Sequence, residues 1–230
     1  MNPLFDPTDL VGATFWLITV AMIACTVFLL LEGRRVADRW KSPVTVAAVV
    51  TLVSALQYVY LRDAWVSSAS VSTVYRFVDW QLTIPLQSVL FFLVLGAVAT
   101  VPAALFWRLL VASTVAVAAA YLGAAGFMSP TLGILVSVAG GLYILGEVYL
   151  GEASKIHASN GNDVVQSAFN ALRLIATIGW AIYPLGYFME HLGGGVDGAS
   201  LNVIYNLADF LNKIAFCLVV HRAAVRDAAG

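Results

Sequence analysis

Charged residues are scarce in this chain. Aspartate, glutamate, lysine and arginine make up 11% of its 230 residues, whereas 61% are hydrophobic. In a typical soluble domain roughly a quarter of the residues are charged. The net charge of -1 provides neither a basic surface for nucleic acid nor an acidic tail. The composition therefore predicts a membrane protein with no nucleic-acid partner.

Cysteine is rarer still, with two residues in the chain. Cys25 and Cys217 both lie inside apolar runs, so they are expected to be small buried hydrophobic residues, and they carry no information about the redox compartment. The sequence also shows no arrangement typical of a catalytic nucleophile, a metal cluster or a phosphate-binding loop. Enzymatic activity and a metal centre are therefore not expected.

Long apolar segments account for almost the whole chain. Each is close to the ~20 residues that a helix needs to cross a bilayer, and each exceeds the ~10 alternating residues of an outer-membrane barrel strand. The segments are 9–32, 43–65, 72–99, 101–125, 129–151, 165–190 and 200–224. Short connections, such as KSPV before the second segment, separate them. The sequence predicts an all-α membrane protein, a seven-transmembrane-helix bundle formed by a single domain over residues 1–230.

The basic residues near the span ends give the orientation. With seven spans, nine of them fall on one side of the membrane and only Arg62 falls on the other. The nine are Arg34, Arg35, Arg39, Lys41, Arg108, Lys155, Arg173, Arg222 and Arg226. This predicts an extracellular or periplasmic N-terminus and a cytoplasmic C-terminus. The opening MNPLFDPTDL has no basic segment, so no cleavable signal peptide is expected.

Two further basic residues, Arg76 and Lys213, lie within spans. A charge there costs at least ~2.5 kcal/mol on insertion scales, so each is expected to have a partner and a function. In the seventh span Asp209 precedes Lys213 by four residues, which places both on one helix face. In the third span Asp79 follows Arg76 by three. The pattern predicts that these four groups converge inside the bundle.

Two interpretations of this polar core remain open from the residues alone. The first is structural: the groups form ion pairs that hold helices together. The second is chemical, because a lysine amine in an apolar pocket can form a Schiff base with a carbonyl compound. Aspartates would then be suitable counterions, since a carboxylate can also accept the imine proton.

Three motifs favour the second interpretation. RFVDWQLTIPL in the third span, GWAIYPLGYF in the sixth and IYNLADFLNKIAF in the seventh resemble the matching helices of microbial rhodopsins, above all proteorhodopsins. The similarity covers nearly the whole chain, because FWLITVAMIACTVFLLLEGRRVADRWK and VVQSAFNALR also resemble that family. The resemblance implies all-trans-retinal bound covalently to Lys213 as a protonated Schiff base. It makes Asp79 the primary counterion and proton acceptor, Asp209 the second counterion, and Arg76 part of the extracellular path.

The resemblance also assigns the neighbours of retinal. The pocket residues would be Trp80, Gln87, Trp180, Tyr183 and Pro184, and the residues hydrogen bonding near the Schiff base would be Thr83, Gln57 and Tyr205. Gln87 matches the colour-tuning position of proteorhodopsins, where glutamine accompanies blue absorption. Gln57 replaces the usual histidine; it can hydrogen-bond Asp79 but does not titrate, and Asp79 is expected to stay ionised in mildly acidic medium.

The main departure from the family pattern is Leu90. It lies eleven residues after Asp79 on the same helix face, where proton pumps of the family usually carry the carboxylic acid that reprotonates the Schiff base. The signature of the third span is thus Asp79, Thr83, Leu90. Glu147, near the cytoplasmic end of the fifth span, is a possible substitute donor because apolar neighbours would keep it protonated. An interfacial hydrogen bond is the alternative role for Glu147.

The remaining acidic and histidine residues lie near span ends. Glu190 and His191 end the sixth span, with Asp197 in the following loop, and they are candidates for a proton exit or an adventitious metal site. Solvated side chains are the plainer interpretation. His157 and His221 are expected to be cytoplasmic and solvated.

These observations predict a light-driven outward proton pump, with photosensory signalling to a transducer and inward or passive proton transport as alternatives. Its expected partners are the lipid bilayer, the transported protons and further copies of itself in a pentamer or hexamer. Its expected location is the bacterial inner membrane, as a multi-pass protein.

Overall fold

The structure, a computed structural model, describes residues 8–193 and 195–228. The expectation about a signal peptide depends mainly on residues 1–7, which lie outside the described residues.

Seven helical segments in these ranges are long and apolar enough to cross a membrane. They are built from α1 (Leu10–Glu32), α2 (Asp38–Ser68), α3 (Arg76–Gly96, after a 3-10 turn at Thr73–Tyr75), α4 (Ala103–Ala124), α5 (Pro130–Tyr149), α6 (Glu152–Ser159), α7 (Asp163–Phe188, extended by a π-helical turn at Met189–Gly193), α8 (Gly198–Asp209), a π-helical segment at Phe210–Ala215, and α9 (Phe216–Asp227). The fifth span joins α5 and α6, and the seventh runs from α8 to α9. The predicted all-α seven-helix fold is confirmed.

Local capping explains several helix starts. The side chains of Asp9, Ser129, Asn162 and Asp197 accept hydrogen bonds from first-turn amides of α1, α5, α7 and α8, as N-cap residues do. The interpretation of KSPV as a connection is wrong, because α2 begins at Asp38 and contains Pro43. Pro43 lies close to the start of α2, and its missing amide removes only one backbone hydrogen bond there.

Neighbouring spans pack side by side along the chain, with α1 on α2, α2 on α3, α3 on α4 and α4 on α5, while α7 packs on α8 and α9 and α9 packs on α2. Large apolar side chains such as Leu56, Leu142 and Ile178 are exposed on the outer surface. The buried polar and charged side chains include Arg76 and Lys213. This distribution suits a bundle surrounded by lipid, with its polar groups satisfied inside.

The π-helical segment Phe210–Ala215 interrupts the seventh span at its centre. Such π turns within α-helices often occur at functional sites, and this one carries Lys213. A Cβ at Gly179 would lie 1.7 Å from Asn212 Oδ1. The glycine therefore lets α7 approach the π-helical segment directly.

Candidate functional site

Lys213 lies at the centre of the bundle with no exposed surface. Its Nζ contacts Asp79 Oδ2 and lies 3.2 Å from Asp209 Oδ1. Asp79, Asp209 and Arg76 are each 2% exposed or less. When all four groups are ionised their charges cancel, which offsets part of the cost of removing them from water. The convergence expected from the sequence is therefore present.

Asp79 has few hydrogen-bond donors besides Lys213. Ser54 Oγ donates to Asp79 Oδ1 at 2.9 Å, whereas Thr83 Oγ1 donates to the main-chain oxygen of Asp79 at 3.0 Å. The expectation that Gln57 bonds Asp79 is wrong, because its amide donates to the main-chain oxygen of Tyr75 at 2.8 Å. Gln57 lies three residues beyond Ser54 on α2, and only Ser54 faces the carboxylate.

Asp209 receives more donors than Asp79. The hydroxyls of Tyr58 and Tyr183 both donate to it at 2.7 Å, and Trp80 Nε1 donates at 3.3 Å. Arg76 Nη1 lies 3.8 Å away. Several donors stabilise the charged form of a carboxylate. The two aspartates thus have distinct surroundings: Asp209 accepts hydrogen bonds from three side chains besides its contact with Lys213, and Asp79 is the carboxylate with fewer competing bonds.

Arg76 is held on the side of the cluster away from α9. Its guanidinium donates to Tyr58 at 3.2 Å and to the side-chain oxygens of Asn202 and Asn206 at 2.8 Å each. The hydrogen bond expected of Tyr205 is not present: within the described ranges its buried hydroxyl has no partner. Its ring lies 5.4 Å from the Arg76 Cζ atom instead. Tyr205 therefore positions Arg76 by packing.

Sequence reasoning missed four residues of this site: Ser54, Tyr58, Asn202 and Asn206. The sequence did contain a signal for Asn202 and Asn206. Together with Asp209 and Lys213 they follow one another at spacings of four, three and four, so they form one polar stripe on the seventh span. The spacing of four places Ser54 and Tyr58 on one face of α2. Their partners, Asp79 and Asp209, lie on other helices, so no signal for these contacts was present in the sequence.

The predicted pocket residues of the sixth span line a cavity. Trp180, Tyr183 and Pro184 line a space of about 240 Å³ that α4 and α5 close on the other side. Tyr183 also hydrogen-bonds Asp209, so one residue of the cavity wall is bonded to the charged cluster. The Trp80 ring lies 4.6 Å from that of Tyr183, between ring centroids. The walls are mostly apolar, as a pocket for a long hydrocarbon requires.

Gln87 is buried next to the lysine segment. Its side-chain amide donates to the main-chain oxygen of Asn212, the residue before Lys213. This bond satisfies a carbonyl group within the π-helical segment, where the regular helix pattern is interrupted. The Gln87 amide is thereby held against the backbone of the residue that precedes Lys213.

The apolar surroundings expected for Glu147 are not found. Glu147 Oε1 lies 3.1 Å from Arg108 Nε, and the Glu152 amide donates to Glu147 Oε2 at 3.2 Å. Arg108 also pairs with Glu152 at 2.5 Å. Glu147 is therefore engaged in an ion pair with Arg108 rather than surrounded by apolar side chains. Leu90 is fully buried and cannot replace it.

The outer end of the sixth span carries Glu190 and His191 in the π-helical turn Met189–Gly193. The His191 Nε2 atom lies 3.7 Å from Glu190 Oε2. Asp197 does not join them: it caps α8, and hydrogen bonds from Ser200 lower its pKa. No group of three or more potential metal ligands occurs in the described residues. Glu190 and His191 thus form a pair at the end of the span.

The two remaining histidines differ from expectation, because neither is solvated. His157 is 7% exposed, and the His221 side chain is 13% exposed with Nε2 3.7 Å from Glu32 Oε2. Both pack against aromatic rings, His157 against Phe169 and His221 against Phe28.

Fold and site together define a membrane-embedded helical bundle built around an internal lysine and two aspartates. Residues 9–226 match the family described as bacteriorhodopsin-like protein, and the chain belongs to that family. It is 42% identical to a blue-light absorbing proteorhodopsin of Gamma-proteobacterium Hot 75m4 over 97% of this chain and 90% of the relative. It is 40% identical to a green-light absorbing proteorhodopsin of Gamma-proteobacterium EBAC31A08, with the same coverage.

Solved structures agree with the family assignment. The crystal structure of blue light-absorbing proteorhodopsin from Med12 superposes with a TM-score of 0.80 at 39% identity, over 95% of this chain and all of that one.

Family membership makes retinal the cofactor, held on a lysine through a Schiff base. The described residues fit that group. Lys41 and Lys155 are exposed, whereas Lys213 is buried and contacts Asp209, which also accepts a hydrogen bond from the cavity-wall residue Tyr183. Trp180 Nε1, at the cavity wall, is buried with no partner in the described part of the chain.

Proposed function

We propose that this chain is a light-driven outward proton pump in which Lys213 carries retinal and Asp79 accepts the proton. The observation that carries the proposal is the buried contact between Lys213 Nζ and Asp79, with Asp209 as a second, separately stabilised anion. Residues 1–230 would form one retinal-binding domain, with the N-terminus outside and the C-terminus in the cytoplasm.

Retinal supplies light absorption and the light-induced change of shape that drives proton transfer. Asp79 takes up the proton because its Oδ2 already contacts the Lys213 nitrogen, while Ser54 holds the other oxygen in place. Asp209 stays ionised because Tyr58, Tyr183 and Trp80 all donate to it. It therefore continues to balance a positive charge at Lys213.

The proton on Asp79 is released on the side of the cluster where Arg76 lies. Arg76 lies between Asp209 and the side chains of Asn202 and Asn206, and Glu190 and His191 lie farther along the same end of the bundle. Reprotonation then comes from the cytoplasmic end, where Leu90 provides no acid.

The relatives and the apolar surface support the setting of this activity. We place the chain in the bacterial inner membrane as a multi-pass protein, and we propose that it assembles as a homo-oligomer, a pentamer or hexamer, as the resemblance implies. It acts as a transporter rather than an enzyme.

Replacing Gln87 with leucine should shift the absorption maximum to longer wavelength. The Gln87 amide is buried within one residue of Lys213, where a polar group stabilises the positive charge in the ground state more than in the excited state. Absorption spectra of the purified parent and Gln87→Leu proteins measure the shift. A matched control is Gln166→Leu, on the first turns of α7, which should leave the maximum unchanged; an equal shift in both variants would contradict the role of Gln87.

The test of the proposed function is the light-induced pH change of a suspension of cells that express the protein with retinal. Outward pumping predicts acidification in the light, and a protonophore should abolish it because it dissipates the proton gradient. Alkalinisation would instead establish inward transport.

A photosensory role is the second candidate, and Leu90 is the observation that favours it. Without a carboxylic acid at that position the Lys213 nitrogen regains its proton slowly, and a long-lived intermediate state suits signalling to a transducer. A normal absorption band with no pH change in the suspension would favour this candidate.

A further inference from the structure

Asp227, the last residue of α9, joins three helices at the end of the bundle that we place in the cytoplasm. Its Oδ2 atom accepts hydrogen bonds from Trp40 Nε1 at 2.6 Å and from Arg39 Nε at 3.0 Å, both at the start of α2. Its Oδ1 atom accepts a hydrogen bond from Asn162 Nδ2 at 2.7 Å. Asp227 is 9% exposed, so these bonds are largely removed from water. We call Asp227, Trp40, Arg39 and Asn162 the Asp227 cluster.

Asn162 has two roles in this cluster. Its side-chain oxygen accepts a hydrogen bond from the Val165 amide at 3.0 Å and so caps the start of α7, as asparagine commonly does. The side-chain nitrogen of the same group donates to Asp227. Because both atoms belong to one planar amide, the start of α7 is tied to the end of α9.

The contact of Asp227 with α2 is an ion pair as well as a set of hydrogen bonds. Arg39 Nη2 lies 2.9 Å from Asp227 Oδ2 and also donates to the main-chain oxygen of Asp227 at 3.3 Å. Hydrogen bonds that involve a charged group are stronger than those between neutral groups. Trp40 is fully buried, so its indole nitrogen would lose this acceptor if Asp227 moved away, and a buried donor without a partner is costly.

The interior between the Asp227 cluster and Lys213 is apolar and packed. Fully buried side chains there are Leu90, Phe91, Phe169 and Phe216. Phe169 follows Asn162 by seven residues on α7, and Phe216 lies between Lys213 and Asp227 on the seventh span. Water that carries a proton from the cytoplasm to the Lys213 nitrogen needs space that close-packed side chains do not leave. The helix ends above them therefore have to separate.

Other polar contacts at this end of the bundle involve different helices. Arg108 joins Glu147 and Glu152, which connects α4, α5 and α6. His221 of α9 lies 3.7 Å from Glu32 of α1. Neither set includes a residue of α7, whereas the Asp227 cluster includes its N-cap.

We propose that the Asp227 cluster is a latch that holds the ends of α2, α7 and α9 together and has to release before a proton enters from the cytoplasm. This role rests on the proposed pump function. The three helices are neighbours, since α7 packs on α9 and α9 packs on α2. When the bond between Asn162 and Asp227 breaks, α7 keeps its own backbone hydrogen bonds but is no longer tied to α9 and, through it, to α2. The latch thereby controls water entry to an interior in which Leu90 supplies no acid.

The first test is hydrogen exchange of the dark, retinal-loaded protein, measured by mass spectrometry on the segment 163–172. Asn162→Ser retains a capping oxygen for α7 but has no side-chain nitrogen to donate to Asp227. Asp227→Asn presents one acceptor oxygen where the carboxylate presents two, so it cannot satisfy both Asn162 and the donors of α2. Each variant should speed exchange in this segment about tenfold or more, because a hydrogen bond to a charged group no longer opposes local opening.

The second test is the recovery of the same proteins after a light flash. Recovery should be faster in Asn162→Ser and Asp227→Asn by about the same factor as exchange, because both rates depend on the same opening. The double variant should recover no faster than Asp227→Asn, since the two changes break one shared bond. A full visible absorption band in each variant shows that it has folded around retinal.

Asp38→Asn is the matched control, because Asp38 precedes Arg39 on α2 and its side chain is 94% exposed. Its exchange and recovery should match the parent. Unchanged exchange in both latch variants, slower recovery, or an equal change in Asp38→Asn would overturn the latch. If cells with the parent protein fail to acidify the medium, the pump function fails; normal acidification together with unaltered recovery in Asp227→Asn refutes only control of proton entry by the latch.

Discussion

Replacement of Lys213 by alanine should abolish the visible absorption band of the retinal-treated protein. The alanine side chain has no amine to form the Schiff base. It also leaves Asp79 and Asp209, each 2% exposed or less, without their shared cation. Removing one partner of a buried ion pair typically costs about 3–5 kcal/mol, so the variant should also unfold at lower temperature. Absorption spectra and thermal unfolding measure the two effects.

Two further variants separate loss of the attachment site from loss of the fold. Lys213→Arg keeps a positive charge between the aspartates, yet the guanidinium stays protonated and does not form the Schiff base, so this variant should be folded and colourless. Lys155→Ala, on the exposed side of α6, should keep the full band. A Lys213→Ala or Lys213→Arg protein that stayed coloured would show that retinal is attached elsewhere.

Replacement of Asp79 by asparagine should reduce light-driven acidification by about 100-fold or more, because an amide cannot accept the proton and a positioned acceptor contributes at least that factor. The pigment should still form, since Lys213 remains. Its absorption should move to longer wavelength because a negative charge next to the Lys213 nitrogen has been removed. The pH electrode and the spectrum of the same cells report both results.

Asp38→Asn provides the matched control for this experiment. The Asp38 side chain is 94% exposed and, among the described residues, forms an ion pair with Lys41 alone, so its loss should alter neither transport nor colour. Continued pumping by Asp79→Asn with an unshifted spectrum would refute Asp79 as the acceptor and direct attention to Asp209.

The contrast between the aspartates explains why we assign acceptance to Asp79. Both contact Lys213 Nζ, but Asp209 also receives two tyrosine hydroxyls and the Trp80 indole. A proton placed on Asp209 would compete with these donors, whereas a proton on Asp79 disturbs only the bond from Ser54. The division of roles therefore depends on which side chains surround each carboxylate, and identical residue types perform different tasks.

Several features of this protein were determined by the sequence alone. Apolar runs of about 20 residues can only be satisfied as membrane-spanning helices, so seven spans followed from length and composition. Spacings of three and four place side chains on one helix face, which was enough to predict the cluster of Arg76, Asp79, Asp209 and Lys213. The family motifs were continuous in sequence and could be compared directly.

Only the tertiary structure decided which groups meet across helices. Ser54 rather than Gln57 bonds Asp79, Tyr58 joins Asp209 to Arg76, and Arg108 pairs with Glu147. A helical period fixes the face on which a residue lies but not how far each helix is rotated or shifted against its neighbours. Contacts between residues that are 25, 39 or 151 positions apart depend on those rotations, and so does the burial of His157 on α6.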